Sequence, residues 1–113
     1  MEVVRVRVMH MQSINFDSKF VEMIRLGRKK STIRRGIKIF SKGSVVNLTS
    51  DGRVFGKARI IKVIVKRLDE IGEEDAKLDG FESREELFSE LKRIYGSIDE
   101  KEFFTIIHFE VID

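Results

Sequence analysis

Two strand-like runs, Val45 to Thr49 and Val54 to Val65, meet at Ser50-Asp51-Gly52, and this pairing constrains the fold more than any other feature. Asp-Gly between β-branched, alternating runs marks a tight hairpin, because both central residues of such a turn need positive φ. The chain must therefore contain an antiparallel pair, with the remaining elements arranged around it. Val4, Val6 and Val8 alternate with Arg5 and Arg7, which predicts a strand over residues 3 to 9. Phe16, Phe20, Met23 and Ile24 recur at helical spacing and Gly27 offers a left-handed stop, so a helix is expected from Phe16 to Leu26 with Phe20 central in its buried stripe. Residues 28 to 44 lack a period and contain Gly36 and Gly43 as breakers. They read as a long ordered loop, a feature that is usually functional in a compact domain.

Glu70 to Leu78 reads as a short acidic helix. Ser83, with Glu86 three residues later, forms a capping box for a stronger one, whose Leu87, Phe88, Leu91, Ile94 and Tyr95 make one apolar stripe before Gly96. Phe103 to Ile112 is apolar on both faces, the pattern of a central strand. The order β, α, loop, β, β, α, α, β does not alternate as a doubly wound sheet does. The expected class is α+β: a mainly antiparallel curved sheet or small β-barrel with helices packed at its mouth.

A chain of 113 residues with 42% hydrophobic residues fits a single domain over residues 1–113. No run approaches the roughly 20 apolar residues that cross a bilayer, and Arg5 and Arg7 interrupt the N-terminal apolar stretch, so neither membrane insertion nor export is expected. The absence of cysteine excludes disulfides, zinc knuckles and a cysteine nucleophile, and fits a reducing, cytoplasmic location. Charge is unevenly placed: 17 of the 22 Lys and Arg lie in residues 1–67 with 4 of the 19 acids, leaving 5 and 15 for residues 68–113. This asymmetry either marks an anion-binding surface or cancels as the two halves pack together.

The sharpest local feature runs from Gly27: Gly-Arg-Lys-Lys-Ser-Thr-Ile-Arg-Arg-Gly, with five cations among residues 28 to 35 and no acid between them. Such a cluster repels itself unless an anion offsets it, and a polyanion does so best. Arg34 and Arg35 suit bidentate phosphate contacts; Arg28, Lys29 and Lys30 add charge, and the Ser31 and Thr32 hydroxyls can bond phosphate oxygens. The plain alternative is a solvated basic loop balanced by the acidic C-terminal half. Tyr95, Phe40 and Phe55 are candidates for stacking on bases. His10 and His108 have no second ligand at a metal-binding spacing, so no metal is expected, and His108 reads as a satisfied strand histidine.

Gly27-x-Lys29-x-x-Thr32-x-Arg34, following an amphipathic helix, resembles the signature of the ASCH domain, a member of the PUA-like superfamily of small β-barrels. The likeness extends to the Lys42-Gly43 turn and to Gly80-Phe81-x-Ser83 before a helix holding Glu86-Leu87. It implies a cleft lined by the motif and a role in RNA binding or metabolism. One enzymatic branch, the amidohydrolases that deacetylate N4-acetylcytidine, is similar in the same loop. That similarity implies Lys29 as proton acceptor, Thr32 as nucleophile, and Asp79 as proton donor, one methylene shorter than the branch's glutamate, with Glu82 as a substitute acid. No cofactor is implied. The expected partner is RNA, a nucleotide or a nucleoside, and the chain is expected to be a monomer.

Overall fold

The computed structural model describes residues 11 to 112, and the strand expected over residues 3 to 9 lies outside them. Within them, five strands form one curled sheet in the order β1-β3-β4-β5-β2, a half-barrel of the PUA-like α+β kind. Strand β1 (Ser13–Asn15) runs parallel to β3 (Val45–Ser50), and every other pairing is antiparallel. The hairpin forms as its sequence demands: Asp51 and Gly52 sit at φ of 50° and 75°, turning β3 into β4 (Arg53–Arg67). Irregular pairing at Leu48/Thr49 and at Ile60/Lys62 bends these strands, which is how a sheet of this length curls. Strand β5 (Phe103–Ile112) pairs with β4 on one side and β2 on the other, the central place its two apolar faces predict.

Both faces of the sheet are covered. One core gathers Ile14, Phe16, Ile24, Leu48, Ile60 and Phe109; the other packs Ile33, Phe104 and Ile106 under Ile71, Leu87 and Leu91. The second core is roofed by α2 (Glu73–Leu78) and α3 (Arg84–Tyr95). Ser83 caps α3 by accepting from the Glu86 amide at 3.1 Å, and Gly96 ends it at φ of 80°. The reciprocal half of the expected capping box is displaced by one residue, since the Glu86 carboxylate accepts from the Glu82 amide instead.

Three sequence expectations need correction. The loop over residues 28 to 44 contains a strand, β2 (Ser31–Arg35). It shows no period of two because Ser31, Thr32 and Ile33 are all buried, so adjacent residues face covered surfaces. Helix one is only Val21–Arg25 (α1), preceded by a 3₁₀ turn over Ser18–Phe20; Phe16 is extended, its amide bonded to the Thr49 carbonyl at 2.8 Å. The acidic helix starts at Glu73 rather than Glu70, because Ile71 and Gly72 are extended and separate it from a 3₁₀ turn at Leu68–Glu70.

Candidate functional site: a cleft beside the buried Lys29–Asp79 pair

The end of α1 sets the site. Gly27 adopts a φ of 74°, its amide bonds the Ile24 carbonyl, and the Arg28 amide reaches back to the Met23 carbonyl at 2.8 Å, a Schellman ending. The chain leaving this turn crosses the C-terminal end of α2: the Lys30 amide donates to the Leu78 carbonyl at 2.7 Å. At the crossing, Lys29 and Asp79 are both 4% exposed. The Lys29 ammonium donates to the Asp79 carboxylate at 2.6 Å and to its backbone carbonyl at 3.0 Å. Three rings surround the ammonium, with centroids at 4.8 Å (Phe20), 5.8 Å (Phe81) and 5.9 Å (Phe16).

Gly80 lets the two segments approach. It holds a φ of +93°, and a Cβ there would lie 2.7 Å from Met23 Cε and 3.3 Å from Lys29 Cβ. Gly80→Ala should therefore lower stability by about 1 to 3 kcal/mol, through backbone strain and displacement of Lys29. Urea unfolding of the variant checks this; an unchanged midpoint would mean that the crossing has slack.

Burial dominates the electrostatics of the pair. It lifts the Asp79 carboxyl to about 6, against the pull of Lys29 and Arg34 toward ionisation. It also lowers the Lys29 pKa, which Asp79 partly offsets. The Ser31 hydroxyl lies near enough to favour the Asp79 carboxylate, yet it makes no hydrogen bond of proper geometry. Both shifts bring lysine and carboxyl closer to exchanging a proton than they are in water.

The pair lines a cleft of about 460 Å³ between β2, the β1 end and α3, shared with Thr32, Arg34, Phe81 and Tyr95. Arg34 donates from Nε to Thr32 Oγ1 at 2.8 Å and from Nη2 to the Asn15 carbonyl at 2.6 Å, with its guanidinium 5.2 Å from the Phe16 ring. It thus joins β2 to β1, strands at opposite ends of the described sheet. At the rim, Glu90 is paired with Lys19 and Arg93.

Of the residues expected to carry chemistry, the structure brings Lys29, Thr32 and Asp79 to one cleft, and Arg34 joins them. Glu82 is exposed and does not line it. The run from Arg28 to Arg35 is not a single solvent-facing cationic loop. Ser31 is fully buried, and Arg35 is paired with Glu102 while bonding the Ser97 carbonyl. Arg28 and Lys30 are exposed and line a different groove. Phe40 and Phe55 are half-buried against the first core rather than free for stacking, whereas Tyr95 does reach the cleft. His108 Nε2 is buried without a hydrogen-bond partner among the described residues. Sequence reasoning missed Asn15, which acts through a backbone carbonyl that no side-chain pattern betrays. It also missed the Phe16, Phe20 and Phe81 rings around Lys29; the Gly80-Phe81 step was the available signal.

The family model of the ASCH domain matches residues 7 to 113. The chain belongs to the ASCH domain family. The fold of this ASCH domain is similar to that of a Lactobacillus crispatus ASCH domain at 19% identity, with a TM-score of 0.60 over 80% of this chain and 68% of that one. It is also similar to a protein from Enterococcus faecalis V583 at 17% identity, TM-score 0.70, covering 93% and 82% of the two chains. An ASCH protein from Zymomonas mobilis matches at 15% identity and a TM-score of 0.66, over 87% of this chain and 65% of that one. No curated protein matches the chain. Among the described residues of this ASCH domain, no helix is long and apolar enough to cross a membrane.

Proposed function

We propose that this ASCH domain binds RNA or a nucleotide by taking one unstacked base or nucleoside into the cleft beside Lys29 and Asp79. The observation that carries this reading is the buried pair itself, held among three aromatic rings at the wall of a cavity of about 460 Å³. That volume suits one small ligand rather than a folded RNA. Aromatic walls stack on the faces of bases, and a carboxylate beside an ammonium supplies an acceptor next to a donor. Cytosine displays the complement, an amino group and a carbonyl, on one edge, and carboxylates are suited to accept from the cytosine amino group.

A second reading, amide hydrolysis of N4-acetylcytidine or a related modified nucleoside, is favoured by the Thr32 hydroxyl lining the same cleft as the pair. In this scheme Thr32 Oγ1 attacks the acyl carbonyl as its proton passes to neutral Lys29. The C–N bond then breaks, and Asp79 gives its proton to the departing amine. Asp79 then takes a proton from the water that attacks the resulting threonine ester, Lys29 gives its proton to the departing Thr32 oxygen, and acetic acid leaves, so that all three groups regain their starting states. The scheme requires an uncharged amine and a protonated acid, and burial shifts Lys29 and Asp79 in those directions.

The two readings are tested together, by titration calorimetry with cytidine, uridine and N4-acetylcytidine and by chromatographic detection of cytidine released from N4-acetylcytidine. Nucleoside binding that is lost in Lys29→Met is expected; no binding of any of the three would reject the cleft as a nucleoside site. If the chain is a hydrolase, Lys29→Arg should cut turnover by about 10²- to 10⁴-fold, since arginine stays protonated. Turnover surviving in Lys29→Arg would reject this mechanism, and none in the wild type would reject the hydrolase reading alone.

A further inference from the structure

Three cations of the basic motif are already engaged inside the molecule: Lys29 with Asp79, Arg34 with Thr32 and Asn15, and Arg35 with Glu102. Arg28 and Lys30 remain, both exposed and, among the described residues, without a carboxylate partner within ion-pair distance. They emerge on the other side of the crossing from Lys29, where Lys77 joins them around a groove of about 510 Å³ floored by Gly27 and Leu78 and flanked by Glu74. The Lys30 to Leu78 backbone bond holds the two cationic segments together. A second groove of about 420 Å³ shares Gly27 and Lys30, adds Arg25 with Glu110 at its side, and reaches Lys29, which also lines the cleft. Across both, four unpaired cations face two carboxylates, so the surface carries a positive excess that nothing in the described chain offsets.

We infer that these adjoining grooves are a phosphate-binding track for single-stranded RNA, distinct from the base-binding cleft, with Arg28, Lys30 and Lys77 as its contacts. The inference rests on the reading that the cleft takes a base of RNA, and it makes that ligand a nucleotide within a strand rather than a free nucleoside. Lysine is a mobile point charge and arginine a planar fork, so the three together can follow a backbone without reading its sequence.

The test is a fluorescence anisotropy titration of a labelled single-stranded RNA of about 12 nucleotides over a range of salt. The variants are Arg28→Gln/Lys30→Gln/Lys77→Gln and a control that removes equal charge elsewhere, Lys38→Gln/Lys42→Gln/Arg53→Gln, all exposed positions outside the grooves. The groove variant should lose affinity at least about tenfold, and the magnitude of its slope of log K against log salt should fall by about 2, since each single-strand contact contributes roughly 0.7. The control should keep both. Equal losses in the two variants would show diffuse attraction rather than a track, and an unchanged groove variant or a wild type that does not bind would overturn the inference. Nucleoside affinity of the groove variant, measured by calorimetry, separates the track from the cleft: the track predicts that it is retained, and joint loss of both affinities would overturn the division between them.

Discussion

Replacing Lys29 with methionine should lower the unfolding free energy near pH 8 by roughly 3 to 5 kcal/mol, the scale for a buried pair that loses one partner. The loss should be much smaller near pH 5. Asp79 is 4% exposed, and its carboxyl stands at about 6 even with the ammonium 2.6 Å away. That value lies above the ordinary 3.8, so the folded state holds this proton more tightly than the unfolded chain does. The contribution of Asp79 to stability is therefore fullest below 3.8 and is lost as pH rises through the folded value. Without Lys29 the folded value climbs further, so the gap between variant and wild type opens above about 6 and closes on acidification. Asp79→Leu added to Lys29→Met should restore much of the loss, because an apolar pair needs no charge compensation. Urea unfolding at the two pH values measures all of this, and a loss independent of pH would mean that packing, not charge, explains the variant.

Phe104→Ala should cost about 3 to 5 kcal/mol at any pH between those limits, as large truncations in a closed core do. The ring is fully buried on the central strand, beneath α3 and edge-on to Tyr95 at 6.1 Å. Phe20→Ala makes the informative contrast. Phe20 is only partly buried, it touches both cores, and its ring lies 4.8 Å from the Lys29 ammonium. Its removal should cost less stability than that of Phe104 and should weaken nucleoside binding. Denaturant midpoints beside calorimetry resolve the two effects; a loss below about 1 kcal/mol for Phe104 would place that ring outside the core.

How much of this was legible depends on whether local rules governed each element. The hairpin, the Ser83 cap, the Gly27 stop and the central β5 were readable because a turn residue, a capping hydroxyl or a two-faced apolar run acts within a few residues. Strand β2 was not, because its burial comes from β5 on one side and the cleft on the other, and tertiary cover erased its alternation. Phe16 fitted a helical stripe in sequence but is held extended by the Thr49 carbonyl, a long-range bond that spacing cannot announce. In the site, the identities of Lys29, Thr32 and Asp79 followed from the motif and its resemblance, while their separation from Arg28 and Lys30 did not. A run of like charges says nothing of which side chains turn inward.

The three-residue stretch from Arg28 to Lys30 is pinned at both ends: the Arg28 amide by Met23, and the Lys30 amide and carbonyl by Leu78 and Phe109. Between these anchors the side chains alternate, with only the middle one pointing at Asp79. A stretch so short has no slack to absorb an extra residue, and one insertion after Gly27 would exchange inside for outside, offering Arg28 to the carboxylate and expelling Lys29 to solvent. The interval of two between glycine and lysine in the motif is therefore a matter of parity. It decides which cation is buried against Asp79 and which remain part of the exterior, in a segment where substitution is easier to accommodate than a change of length.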